Sequence, residues 1–335
     1  MPPTNQSLKL PKTLYLELTN RCNLRCKGCI LYHGSWEPER DLSLKEVLMI
    51  TDQLAQLEQI FLHGIGEPLL NKELFEIIRH LKGRSGCVLF NSNGILLSGR
   101  RQLGLIQAGL DELRISLDAA SAPGYQKIRN SDRFEHILEN LRSFVLLQKQ
   151  QRVTHPKLSL WFLGTKANIS ELPDFIKLAA GLGIGEVYLQ RLVYFQDDQG
   201  YGLAKDSMTL QDSTDESSAL IEQSQDTAAR LGIQFNASGL SRPFESLQGQ
   251  ATGKLPWTRC YRPATLMYIT ANGNVLPCCI SPFSTVDYAS IILGNVFKDP
   301  LAGIWSGSRY RNFRRQHQTQ TPPKCCRGCG IQWSL

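Results

Sequence analysis

From Leu14 to Leu192 the chain alternates short apolar runs of β type with amphipathic runs of helical type, and that alternation leaves few folds open. Strand-like runs fall at Leu14–Leu18, Gln59–His63, Val88–Asn91, Glu112–Leu117, Lys157–Leu163 and Glu186–Leu192. Between them, apolar residues at helical spacing predict helices from Ser43 to about Leu57, then over Glu73–Leu81, Gly99–Ala108, Arg133–Leu147 and Ser170–Leu182. Ser43 and Glu46 stand as a capping-box pair at the start of the first helix. Strands joined by helical crossovers run parallel, so the pattern predicts an α/β fold. We expect a partial (β/α)6 barrel over residues 1–237, with its core at about 14–192. An open doubly wound sheet has the same alternation. The barrel is preferred because the chemically distinctive residues fall at the carboxyl ends of strands.

Directly after the first strand, Cys22, Cys26 and Cys29 place three thiols in one short loop. Structural zinc takes four ligands, so the set is one short unless His33 completes a zinc knuckle. A cubane iron–sulfur cluster has four irons, and three cysteines leave one iron open to another ligand. Residues 1–13 lack a signal-peptide pattern, and no apolar run reaches the length of a membrane span. A cytoplasmic location is therefore expected, where the ten cysteines read as metal ligands rather than disulfides. The net charge of +7 is spread along the chain. The basic cluster at 309–315 reads as a solvated helix face, not a nucleic-acid footprint.

Residues 238–258, rich in Gly, Ser, Pro and Gln, read as a linker, and 259–335 as a small cysteine-rich α+β module. The module holds Cys260, Cys278, Cys279, Cys325, Cys326 and Cys329, with a hairpin turn at Asn272-Gly273. Four of these thiols suit either a closed iron–sulfur cluster or zinc. In the doublets, neighbouring side chains of a strand point to opposite faces, so one of each pair is the better ligand. Cys87, isolated in a predicted strand, is expected to be buried and inert. The polar segment Phe195–Ser207 is placed to cover the barrel mouth.

At Cys22, Cys26 and Cys29 the chain resembles the radical S-adenosylmethionine (SAM) enzymes, in which SAM chelates the open iron. Gly64-Ile65-Gly66-Glu67-Pro68 resembles that family's GGEP motif, which holds the methionyl amino group, with Ile65 in place of the first glycine. Asn91-Ser92-Asn93-Gly94 resembles the TNG turn, and Ser116-Leu117-Asp118 the segment that reaches the ribose hydroxyls. Arg129 stands where related enzymes keep a basic residue near the methionyl carboxylate, and Gly28 where many have an aromatic residue near adenine. The resemblance thus implies SAM contacts from Gly64, Gly66, Glu67, Pro68, Asn93, Ser116, Asp118 and Arg129.

The C-terminal segment resembles the SPASM/twitch extension, which holds auxiliary 4Fe–4S clusters. Only six residues follow Cys329, room for one such cluster. The resemblance implies Cys260, Cys278, Cys326 and Cys329 as its ligands, with Cys279 and Cys325 as competitors. Two 4Fe–4S clusters and SAM are then the implied cofactors, with flavodoxin or ferredoxin as a low-potential donor. The implied activity is that of a radical SAM oxidoreductase. It cleaves SAM to a 5′-deoxyadenosyl radical, abstracts a substrate hydrogen atom and passes an electron to the auxiliary cluster. Modification of a peptide or protein is the alternative, although thirteen residues before the first strand leave no room for a leader-binding domain. An electron-transfer or scaffold protein without SAM chemistry is the alternative of another class. The substrate, small molecule or peptide, has no readable motif.

Overall fold

Strand parity decides which residues face the helices. The structure, a computed structural model, describes residues 9–192, 208, 210, 215–237, 256–285, 287–327 and 329. The segments 195–207 and 238–255, which include the expected mouth cover and most of the expected linker, lie outside the described residues. Strands β1 (Thr13–Leu16), β2 (Leu57–Phe61), β3 (Ser85–Ser92), β4 (Glu112–Ser116), β5 (Lys157–Gly164), β6 (Glu186–Arg191) and β7 (Gln234–Ala237) pair in parallel, each with the next in sequence. A doubly wound sheet reverses its strand order partway. Here the order runs β1 to β7 without reversal, as a barrel wall does. The fold is thus the expected partial barrel, carried one strand further by β7.

Helices α1 (Ile30–His33), α2 (Leu44–Thr51), α3 (Leu74–Lys82), α4 (Gly99–Ala108), α5 (Ala122–Arg129), α6 (Phe134–Gln151), α7 (Leu172–Leu182) and α8 (Asp215–Leu231) fill the crossovers. From α2 onward neighbouring helices pack side by side as one layer. Beneath that layer lie Leu14, Ile60, Val88, Phe90, Leu113, Ile115, Leu160, Phe162, Val187 and Leu189, all essentially inaccessible. The Ser43–Glu46 capping box forms, but α2 ends at Thr51 rather than near Leu57. Leu57 continues the helical apolar spacing, yet it pairs with Ser85 in the sheet. Cys87 lies in β3 as expected but is half-buried.

The sheet does not stop at β1. β8 (Leu266–Ile269) pairs in parallel with its outer edge, and β9 (Asn274–Leu276) and β10 (Gly294–Asn295) follow antiparallel. The turn between β8 and β9 contains Gly273 at φ +80, where a Cβ would also collide with the Phe297 ring. The C-terminal cysteines are therefore joined to the barrel by a continuous sheet. Trp305 and Tyr310 pack edge to face beneath it, and Arg314 covers both rings. Among the described residues no helix is long and apolar enough to cross a membrane.

Candidate active site

The face of the sheet turned away from the helices carries polar and aromatic side chains. Tyr15 stacks on Phe61 with ring centroids 4.1 Å apart, and His63 meets both rings edge-on. The Arg114 guanidinium lies 5.4 Å from the Phe61 ring centre and 4.8 Å from that of Trp161, and Trp161 stacks on Tyr188 at 4.1 Å. These inward positions of β1, β2, β4, β5 and β6 line the barrel interior. No local motif marks them; strand parity alone would have found them. Burial, with Arg114 adding to it, holds the His63 pKa down at about 3, so its ring stays neutral at physiological pH.

At the carboxyl end of this interior the cysteine loop is gripped from three sides. Asn93 Nδ2 donates to Asn23 Oδ1 at 2.8 Å and lies 3.9 Å from Cys22 Sγ. Arg129 Nη1 lies 3.7 Å from Cys26 Sγ, and the Glu67 amide donates to the Arg21 carbonyl at 2.8 Å. Burial pushes the Cys22 thiol up to about 11, and Cys26 and Cys29 add to the rise, so the three thiols influence one another. Cys29 is raised for the same first reason, with Arg129 opposing it. Among the described residues, no three His, Cys, Asp or Glu side chains are drawn as tightly as the ligands of a single metal ion. A four-iron cubane spreads its thiolates further apart than one ion does.

The segments expected to bind SAM meet here, and several of them also hold the fold together. At Gly64 and Gly66 the chain's own atoms occupy the place a Cβ would take. A Cβ at Gly64 would strike the Glu17 carboxylate and the Tyr268 hydroxyl; one at Gly66 would strike the Thr19 carbonyl. Pro68 opens a buried 3-10 turn. Glu67, 2% exposed, accepts from Leu69 N at 3.2 Å, Ser92 Oγ at 2.9 Å and Asn93 N at 2.8 Å. Three of its four lone-pair positions are thus filled by protein donors, and it braces two turns together. Burial raises its pKa, with these bonds opposing.

Asp118, at φ +62, accepts from Leu163 N at 2.8 Å and pairs with Arg129. Arg129 therefore joins the end of β4 to the cysteine loop. Burial works against its charge, yet Asp118 and Cys26 hold its pKa above the ordinary arginine value. Its Nε is buried without a hydrogen-bond partner. Ser116 ends β4, in register with Trp161.

The second thiol group gathers at the other edge of the interior. Burial raises Cys260, Cys278 and Cys279. Cys278 feels Cys279, Cys260 and Cys325, and Cys326 feels Cys325, Cys278 and Cys329. Cys325 is buried, with its Sγ 3.9 Å from that of Cys326. Contrary to the expectation from the sequence, neither doublet lies in a strand: Cys278 and Cys279 follow β9 in a turn, and Cys325 and Cys326 sit in the helical turn Lys324–Arg327, so strand alternation does not separate them. Cys279 neighbours the Tyr15 hydroxyl of β1 and, like Cys278, Cys260. Arg262 lies beside Cys260, Cys278 and Cys279, with its Nη1 buried and unpartnered. A cation next to several thiolates fits the negative charge of a thiolate-bound cluster. The donor sets at both places suit iron–sulfur clusters.

The chain matches the radical SAM superfamily over residues 16–179 and an iron–sulfur cluster-binding domain, SPASM, over residues 260–330. It is 25% identical over 332 residues to the tungsten-containing aldehyde ferredoxin oxidoreductase cofactor-modifying protein of Pyrococcus furiosus, covering 94% of this chain and 86% of the relative. With the PqqA peptide cyclase of Granulibacter bethesdensis it shares 23% identity over 339 residues, covering 98% and 82%. In fold it is similar to Streptococcus suis SuiB bound to S-adenosylmethionine, with a TM-score of 0.70 at 17% identity, covering 97% of this chain and 72% of SuiB. Both matched regions contain the thiol groups described above, and the chain belongs to the radical SAM superfamily, as an enzyme with a C-terminal SPASM iron–sulfur domain.

Proposed function

We propose that this enzyme oxidises a peptide substrate held against the inner face of its barrel. Cys22, Cys26 and Cys29 hold the cluster that binds SAM, and Cys260, Cys278, Cys326 and Cys329 hold the auxiliary one. When bound, these groups supply reductive cleavage of SAM to a 5′-deoxyadenosyl radical, hydrogen-atom abstraction from an unactivated C–H bond, and an acceptor for the second electron. The chain's own residues bind, orient and shield. Arg129, with its free Nε, and the one remaining lone pair of Glu67 address the charged methionyl end of SAM. Asp118 and Ser116 stand at the end of β4 on the ribose side. His63 stays neutral, so it adds no charge where the substrate lies. A flavodoxin or ferredoxin delivers the first electron.

What supports the reading is that each thiol group neighbours a residue at the border of the inner face. Arg129 reaches Cys26 from the end of that face, and Tyr15 reaches Cys279 from β1. The run from Tyr15 to Tyr188 crosses five inter-strand gaps, an arc of roughly 24 Å, which suits an extended peptide. A relative covering nearly the whole chain is named a peptide cyclase, which favours the same substrate class. Deuterated peptides encoded beside the gene test this. Deuterium should appear in 5′-deoxyadenosine. Transfer from a small molecule and from none of the peptides would overturn the peptide reading.

Four single variants test the ligands by Mössbauer and EPR spectroscopy. Cys278→Ala and Cys326→Ala should damage the auxiliary cluster, while Cys279→Ala and Cys325→Ala should keep both clusters. Loss of the cluster in Cys279→Ala alone would reassign the ligand.

A further inference from the structure

Glu17 is a carboxylate buried to 1% exposure at the point where the sheet passes from the barrel into the C-terminal segment. Its own amide donates to the Ile269 carbonyl of β8 at 2.9 Å, closing the β1–β8 seam. The side chain then reaches two ways. Oε1 accepts from the Ile65 amide at 2.6 Å, inside the Gly64–Pro68 turn, and from the Tyr268 hydroxyl at 3.4 Å. Oε2 accepts from the Ala271 amide at 3.1 Å, in the turn that leads toward Cys278. Three donors from two segments some 200 residues apart in sequence thus converge on one carboxylate. Gly64 has no side chain because this carboxylate and the Tyr268 hydroxyl occupy that space. A carboxylate offers acceptors on both oxygens, so it can satisfy both segments at once; an amide side chain cannot.

We propose that Glu17 is a positioning residue that couples the SAM-binding turn to the C-terminal cysteine module, clasping Ile65 on one side and Ala271 on the other. It rests on the reading of Gly64–Pro68 as the SAM-binding turn. The turn holds its shape only while the module is seated, and a disturbance of the β8–β9 turn is felt at Ile65 through the Glu17 side chain. SAM binding is thereby tied to an assembled auxiliary module, which limits radical formation when no second-electron acceptor is in place.

Hydrogen–deuterium exchange of the full chain at pH 8, where Glu17 is ionised and both oxygens only accept, and without added SAM, reads the clasp independently of activity. In Glu17→Gln the amide nitrogen must face one of the backbone donors. Exchange should rise about tenfold at both residues 62–66 and 268–272. Glu17→Asp is too short to span the two and should behave like Gln. Tyr268→Phe keeps the ring, removes one donor and should loosen residues 62–66 by a smaller factor. Gly273→Ala, which drives a Cβ into Phe297, should raise exchange at 62–66 in the native background and add nothing in Glu17→Gln. On the reconstituted holoenzyme, Glu17→Gln should weaken equilibrium SAM binding about tenfold.

Exchange that changes in only one of the two segments, or Gly273→Ala effects that persist unchanged in Glu17→Gln, would overturn the clasp. Should Glu17→Gln fail to fold, Tyr268→Phe and Gly273→Ala decide: unchanged exchange at 62–66 in both would overturn it. If exchange behaves as stated but Glu17→Gln binds SAM as tightly as the native enzyme, the clasp stands and the assignment of the turn to SAM falls.

Discussion

Replacing Arg129 by Met removes the cation between Asp118 and Cys26 while keeping a side chain of similar length. The two side chains of the ion pair are only 16% and 5% exposed, so solvent screens it little. Breaking a buried pair by removing one partner leaves the other charge uncompensated, at a cost of about 3–5 kcal/mol, against the 0–1 kcal/mol of an exposed pair. Asp118 is the partner so exposed to loss, since its other carboxylate oxygen accepts only the Leu163 amide. Asp118→Asn removes the same pair from the other side, and asparagine tolerates the φ of +62 found there. Urea unfolding of the apoprotein should show each single variant destabilised by about 3–5 kcal/mol. The double variant should lose less than the sum, with a coupling energy of about 2–3 kcal/mol. The losses should persist at high salt. Single-variant losses below about 1 kcal/mol, or strict additivity, would refute the picture of a buried link between β4 and the cysteine loop.

Glu67→Ala deprives Leu69, Ser92 and Asn93 of their acceptor and should destabilise the apoprotein by at least about 1–3 kcal/mol while also weakening SAM binding; isothermal titration with unchanged affinity would leave Glu67 as a brace alone. Burial raises the Glu17 pKa to about 7 from an ordinary 4.5, with the Ile65 and Ala271 amides and the Tyr268 hydroxyl opposing and Glu37 adding to the rise. A raised pKa means that its contribution to stability is fully present below the ordinary value and is lost as pH rises through about 7. The stability difference between native and Glu17→Gln apoproteins should therefore fall between pH 4.5 and pH 8, by up to about 3 kcal/mol, and a flat difference in urea melts would contradict it.

Much of the barrel was legible because its signals are local. The Ser43–Glu46 pair forms its capping box, and the six expected strands all appear in the expected order. What was missed lacks such a signal. α5 has Pro123 and Gly124 in its first turn, which obscure a helix in the sequence, and it is held by the Ser121 cap and by Glu171, which accepts from Ala120 N at 2.8 Å. β7 is four residues long and owes its place to pairing with β6. The motif residues of the site could be located from their resemblance, but their bonds could not. Glu67 works through turns some 25 residues away, and Glu17 through an amide 254 residues away. A single sequence carries no mark of contacts at such separations. The inward aromatic face follows from strand parity once the outward face is known to be apolar.

Under the proposed function, the loop of Cys22, Cys26 and Cys29 holds the cluster at which SAM is cleaved. Anaerobic reconstitution should yield two 4Fe–4S clusters, about eight irons per chain, and reduction with dithionite in the presence of SAM should release 5′-deoxyadenosine. The variant with all three cysteines replaced by Ala should keep about half the iron, in the auxiliary cluster, and release none. Release of 5′-deoxyadenosine by that variant, or a native protein that takes up only zinc, would show that this loop does not hold the catalytic cluster.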